Sequence, residues 1–93
     1  MSGGKAPAGC FTLLYFAAAS SFTNKQNEYL AAPVSVSGLF DELENRYPGI
    51  KDKVLSSSAL TVNLDYVDVD DGSDDTTIKE GDEVAIIPPV SSG

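Results

Sequence analysis

Asp82-Glu-Val-Ala-Ile-Ile-Pro-Pro-Val-Ser-Ser-Gly93 closes the chain, and its reading decides the fold. Val84 to Ile87 is a short apolar, partly β-branched run, the pattern of a buried strand. Pro88 and Pro89 end that strand, because neither has an N–H to give to a sheet ladder. Val90, Ser91, Ser92 and Gly93 are small and uncharged and follow neither helical nor strand periodicity. The expectation is a core strand followed by a thin projecting tail, residues 88–93. The prolines favour an extended exit. A segment of that length reaches roughly 20 Å at ~3.3–3.6 Å per residue. Gly93 has no side chain, so only backbone bulk limits what it can enter. Such a tail suits a narrow pocket in another protein; an idle, frayed end is the alternative.

Composition narrows the choice. Ninety-three residues make one domain with a small core, too small for a cleft lined from several directions. An apolar share of 42% is that of a folded chain rather than a disordered one. Fourteen Asp and Glu against six Lys and Arg give a net charge of −8, which repels nucleic acid. The acidity fits basic protein partners, and equally fits plain solubility. There is no His, which removes the commonest general base and metal ligand and every Ser–His or Cys–His arrangement. Cys10 is the lone cysteine, so there is no internal disulfide and no CxxC site, and a reducing, cytosolic setting fits. Neither a metal site nor a permanently bound cofactor is expected.

Working back from the tail, residues 10–87 read as one domain and residues 1–9, rich in Gly and Pro, as a flexible lead-in. Cys10 to Ala17 reads as the first core strand, with Cys10 a buried, inert thiol. Lys5, this apolar run and Ala17-Ala-Ala-Ser20 imitate a secretory signal. The run is short and interrupted by Thr12 and Tyr15, so the strand reading is preferred, and it is too short to cross a membrane at ~20 residues. Ser20 to Gln26 reads as a polar turn and Asn27 to Ala32 as a second strand, pairing with the first as a hairpin.

Val34 to Tyr47 is the one clear helix, capped by Ser35, with Val36, Leu39, Phe40, Leu43 and Tyr47 on one face and Pro48-Gly49 as its stop. Ile50, Val54 and Leu55 suggest a further helical turn. Ser58 to Val67 alternates at period two, placing Leu60, Val62, Leu64 and Tyr66 on the buried face of one strand. The acidic run Asp68 to Asp75 fails the EF-hand pattern, because Val67, Val69 and Ile78 stand where acids are required, and reads as a solvated turn. Thr76 to Ile78 makes a brief strand, and Lys79 to Asp82 a turn on Gly81. A hairpin, one main helix and further strands give an α+β sandwich of two layers. That is a β-grasp (ubiquitin-like) pattern: a mixed sheet of four to five strands, with the first and last long strands adjacent at its centre.

Glu80 to Gly93 resembles the C-terminus of the molybdopterin synthase small-subunit family, ubiquitin-like sulfur carriers. Leu13 to Ala17 and Arg46-Tyr-Pro-Gly49 are similar to the same family, and the likeness runs from about Phe11 to the end. The resemblance implies that the Gly93 carboxylate is the reacting group. An E1-like activating enzyme adenylates it with ATP, so the chain meets a nucleotide only through its adenylated end, and a sulfurtransferase then converts it to a thiocarboxylate. The resemblance also implies that the tail enters the large subunit and gives sulfur to cyclic pyranopterin monophosphate. The assembly would hold two small and two large subunits, with catalytic side chains on the large one. Ile86, Ile87, Pro88, Pro89, Val90, Ser91 and Ser92 would then form the partner-binding tail. The family tail usually ends Gly-Gly, and here Ser92 takes the penultimate place. Many relatives carry an Arg-Glu pair where this chain has Ser20-Ser21. The alternatives are a ubiquitin-related modifier serving tRNA thiolation or protein conjugation, and an unreactive acidic interaction domain.

Overall fold

Alternation of side chains across the strands decides what is buried. A computed structural model describes residues 6–67 and 76–89. Its strands are β1 (Cys10–Tyr15), β2 (Asn27–Ala31), β3 (Val34–Ser35), β4 (Ala59–Val62), β5 (Asp65–Val67), β6 (Thr77–Ile78) and β7 (Glu83–Ile87). Its helices are α1 (Ala18–Thr23), α2 (Val36–Arg46) and α3 (Ile50–Lys53), the last followed by a 3-10 turn at Leu55–Ser57. Five strands form one mixed sheet in the order β2-β1-β7-β4-β5, and β3 and β6 pair in a second, two-stranded sheet. This is the β-grasp arrangement expected from the sequence. The chain's last strand lies at its centre, parallel to β1 and antiparallel to β4.

One face of the sheet is covered. Phe11, Leu13 and Tyr15 of β1, Leu30 of β2, Leu60 of β4 and Val84 and Ile86 of β7 point into a single core. Val36, Leu39 and Leu43 of α2 close it from above, with Ile50, Val54 and Leu55 at one end. Each such side chain contributes about 1.5–3 kcal/mol when fully buried. Helix α2 is capped where predicted, at Ser35, whose Oγ accepts from the Gly38 N–H at 3.1 Å and satisfies one orphan donor of the first turn, but it starts at Val36 rather than Val34, because Val34 and Ser35 pair with β6 as a strand. Gly81, at φ +85, turns the chain into β7 in a conformation that favours glycine.

Four expectations are corrected. Ser20 to Thr23, expected in a polar turn from Ser20 to Gln26, belong to the helix Ala18–Thr23. The backbone turns left-handed at Ala17 and again at Asn24, and these two residues bound the helix. Thr23 Oγ1 donates back to the Ala19 carbonyl at 3.0 Å, so a polar residue is satisfied inside the segment. β1 accordingly ends at Tyr15, short of Ala17. Ser58 to Val67 is a hairpin rather than one strand, because Asn63 and Leu64 are both left-handed and turn the chain between β4 and β5. The turn shifts the alternation: Val67 pairs with Leu60 on the inner side, while Tyr66 pairs with Thr61 and is exposed. Cys10 is half-buried at the start of β1, not sealed in the core. The readings made for residues 1–5, the acidic run at 68–75 and Val90 to Gly93 lie outside the described residues.

Candidate functional site: the root of the tail and the open sheet face

The root of the tail is built by the sheet centre. Val84 and Ile86 face α2 and are fully buried, while Glu83, Ala85 and Ile87 face the other way. The Phe16 N–H donates to the Ile86 carbonyl at 3.2 Å, and Ala59 of β4 lies opposite Ile87. Strand pairing ends at Ile87, as expected where Pro88 has no N–H. Pro88 is buried and Pro89 is exposed. Of the predicted tail residues, Ile86 is a core side chain with no access to a partner, Ile87 is half-buried on the open face, and Pro88 packs at the exit. Val90, Ser91, Ser92 and Gly93 lie outside the described residues.

The open face beside this root carries residues that sequence reading did not single out. Ala85 and Thr61, side by side in register, form a small-residue floor that is 8% and 6% exposed. Leu14 and Phe16 stand on one side of it and Tyr66 on the other. Ile87 lies at the end nearest the tail, and Leu64 and Glu83 at the far end. Together they make a shallow apolar groove of about 240 Å³ running along β7. Leu64 and Tyr66, at 85% and 76%, are the most exposed large apolar side chains among the described residues, and Phe16 follows. Contiguous exposed apolar surface is one of the features by which contact surfaces are recognised. The available signal was parity: Leu14 and Phe16 occupy the strand positions opposite to Leu13 and Tyr15 and are apolar as well.

A polar hub steadies the end of β1 from the inner side. The Glu28 carboxylate, nearly enclosed, accepts hydrogen bonds from the Tyr15 hydroxyl, from the Tyr47 hydroxyl at 3.0 Å and from Lys25 Nζ at 3.4 Å. Tyr15 and Tyr47 meet edge to face with ring centroids 6.4 Å apart. Burial pushes the Glu28 carboxyl up. The hydrogen bonds from Tyr15, Tyr47 and Lys25 outweigh it, so its pKa lies below the ordinary glutamate value. Burial and the neighbouring carboxylate push the Tyr15 phenol far up.

The stability contributed by Glu28 is therefore complete above about pH 4.3 and is lost as pH falls through the lower folded value. Tyr15 acts at the other extreme: its contribution is complete below about pH 10 and is lost as pH rises through the higher folded value. Glu28→Gln is expected to lower the unfolding midpoint at neutral pH and to flatten its decline toward about pH 3, read by circular dichroism melts. An acid decline as steep as the parent's would assign it to other carboxylates. Glu44 is one, its pKa held down by the backbone N–H groups of Gly49 and Lys51.

Among the described residues no group of three or more His, Cys, Asp or Glu is placed to hold a metal ion. No helix among them is long and apolar enough to cross a membrane. What the geometry offers is a central strand paired on both sides, an exit through two prolines and an apolar face beside it.

The comparisons agree with this geometry. The ThiS family model matches residues 13–93. The molybdopterin synthase sulfur carrier subunit of Pyrenophora tritici-repentis (strain Pt-1C-BFP) is 64% identical over 93 residues, covering all of both chains. The Homo sapiens protein of the same description is 34% identical over 83 residues, covering 87% of this chain and 91% of that one. Among solved structures, a putative molybdopterin converting factor subunit 1 from Pyrococcus furiosus superposes with a TM-score of 0.71 at 25% identity, covering 89% of this chain and all of that one. A chain from the complex of subunits 1 and 2 of the molybdopterin-converting factor of Helicobacter pylori 26695 superposes with a TM-score of 0.62 at 21% identity. It covers 90% of this chain and 99% of that one and supports the fold.

Proposed function

Because this chain belongs to the ThiS family, we propose that it is the sulfur-carrier subunit of a molybdopterin synthase, with the Gly93 carboxylate as the carrier group. The observation that carries the reading is the 64% identity, along both full lengths, to a sulfur carrier subunit of that enzyme. The fold supports it physically, because the strand leading to the tail lies at the centre of the sheet, paired on both sides.

A carboxylate is a poor acyl electrophile, since its charge opposes attack and it has no leaving group. Adenylation by an activating enzyme with ATP supplies one. The terminal sulfur of a persulfide then attacks the carbonyl carbon and AMP departs. Cleavage of the resulting acyl disulfide by a thiol leaves the thiocarboxylate. The catalytic groups for these steps belong to the activating enzyme and the large subunit. This chain contributes position. Val84 and Ile86 hold the root, Pro88 and Pro89 aim it, and Ile87, Val90, Ser91 and Ser92 line the entry into the partner. In the assembly, two carriers flank two large subunits in the cytosol, and sulfur passes to cyclic pyranopterin monophosphate. Ser92 adds a Cβ and a hydroxyl where the family usually has glycine. The reacting atom is on Gly93, so transfer is retained.

The test is reconstitution. Thiocarboxylated protein mixed with a synthase large subunit and the pterin precursor is expected to yield the dithiolene product and return the free carboxylate. Thiocarboxylate that persists unreacted there, while being consumed by tRNA thiolation or protein conjugation, would establish the modifier reading instead.

A further inference from the structure

The five-stranded sheet ends in two unlike edges, β5 and β2. β5 carries Asp65 and runs in sequence straight into the acidic stretch 68–75, charge of the kind that keeps other strands off an edge. β2 has no such guard. Its one charged residue, Glu28, is turned inward and held by Tyr15, Tyr47 and Lys25. The alternate positions, Asn27, Tyr29 and Ala31, are uncharged, and Tyr29 is 43% exposed.

The register fixes which backbone groups this edge offers. The Tyr15 N–H donates to the Gln26 carbonyl and the Ala32 N–H to the Gly9 carbonyl, both at 2.9 Å. Hydrogen-bonded pairs recur at every second residue of an antiparallel ladder, so Glu28 and Leu30 turn their N–H and C=O groups toward Leu13 and Phe11 of β1. Asn27, Tyr29 and Ala31 turn theirs away from the sheet. Such a row of outward groups is a template for an incoming strand.

A second copy of the same strand fits that template. A two-fold axis beside Tyr29 sets Tyr29 opposite its own counterpart and Asn27 opposite Ala31, in antiparallel register. Each of these three pairs exchanges two hydrogen bonds, about six in all, and the two tyrosine rings become cross-strand neighbours. The flanking charges obey the same symmetry. Gly38, Glu42 and Arg46 of α2 line a groove beside β2 with Leu30, Ala31 and Pro33. Gly38 lies against Val34, just past the end of β2, while Arg46 lies at Glu28, 3.8 Å from its carboxylate. α2 therefore runs antiparallel to β2, and Glu42 stands about 6 Å nearer Ala31 than Arg46 does, at ~1.5 Å per residue. Rotation about the Tyr29 axis brings the partner's Arg46 level with Glu42, and the partner's Glu42 level with Arg46. Both side chains are about half-exposed and free to reach across.

We propose that this protein self-associates through β2, a second copy adding its own β2 antiparallel so that the sheet continues across both copies. The inference does not depend on the function proposed above. β7 lies two strands inward, so the root of the tail stays open in the dimer. The contact is narrow and each copy carries a charge of −8, so the dimer is weak, with a Kd on the order of 0.1 mM.

Sedimentation velocity of the full chain from about 10 µM to about 1 mM tests it, spanning that Kd. The parent is expected to shift from monomer to dimer over this range. Hydrogen exchange at the Asn27, Tyr29 and Ala31 amides is expected to slow with it, and exchange along β5 is not. Tyr29→Lys sets like charges opposite each other on the axis, and Arg46→Glu sets an acid against Glu42 twice. Each is expected to weaken association roughly tenfold or more. Adding Glu42→Arg to Arg46→Glu restores opposite charges across the axis and is expected to restore association. Circular dichroism at about 10 µM, where the dimer is dilute, checks that each variant is folded. A parent that stays monomeric at the highest concentration overturns the proposal in favour of a foreign strand or an edge left open. A dimer indifferent to Tyr29→Lys overturns it by placing the contact elsewhere. A folded double variant that fails to recover association also overturns it, because the two-fold register requires the recovery.

Discussion

Deleting Gly93 is expected to abolish sulfur transfer completely while leaving the thermal unfolding midpoint within about 1 °C of the parent, since glycine has no side chain to contribute to a core. The two halves of that result have separate physical origins. The reacting carbonyl belongs to the last residue, and a chain ending at Ser92 presents its carboxylate one residue, about 3.3–3.6 Å, short of the position where the partners' groups converge. A misplacement of 1 Å alone can cost about a hundredfold in rate, so a shift of several ångströms leaves no measurable turnover. Stability is untouched because glycine carries no side chain to bury, while Ile86 is the last large core side chain among the described residues and strand pairing stops at Ile87. A midpoint lowered by several degrees would make the tail a structural element, and retained transfer would remove Gly93 from the chemistry.

Ile86→Ala is expected to do the reverse. Ile86 is fully buried at the centre of the sheet, with Tyr15 of β1 and Leu60 of β4 as its register partners. Truncating such a side chain costs about 2–5 kcal/mol, the lost transfer energy plus the cavity left behind. For a domain of this size a loss of ~3 kcal/mol lowers the midpoint by on the order of 15 °C. Denaturant titration and a melting scan measure it. Below the new transition the tail chemistry should persist, because no reacting group has changed. A loss under about 1 kcal/mol would mean that β7 is not the central strand described here.

The features that organise the fold were legible because they are written in strong local signals. Val84 to Ile87 is apolar and terminated by two prolines, so its end is set by chemistry rather than by packing. α2 announces itself by the spacing of Val36, Leu39 and Leu43 and by its Ser35 cap. The two-residue hairpin at Asn63-Leu64 was not legible. The apolar alternation of Leu60, Val62, Leu64 and Tyr66 runs through it without a break, and Leu64 stands where a turn would normally declare itself with glycine. α1 was hidden for the opposite reason: Ser20, Ser21 and Thr23 look like turn residues, and the helix depends on two left-handed residues at its ends. The candidate site divides the same way. The tail was read from its residues, whereas the groove beside it joins three strands, and its members share a face only once the register is known.

Intact mass measurement of the full chain, after incubation with its activating enzyme, ATP and a persulfide sulfur source, tests the central claim most directly. The account predicts a mass increase equal to replacing one oxygen by sulfur, located by fragmentation at Gly93 and absent when ATP is withheld. An unchanged mass under conditions where the activating enzyme loads another carrier, or sulfur found at Cys10 instead of Gly93, would contradict it.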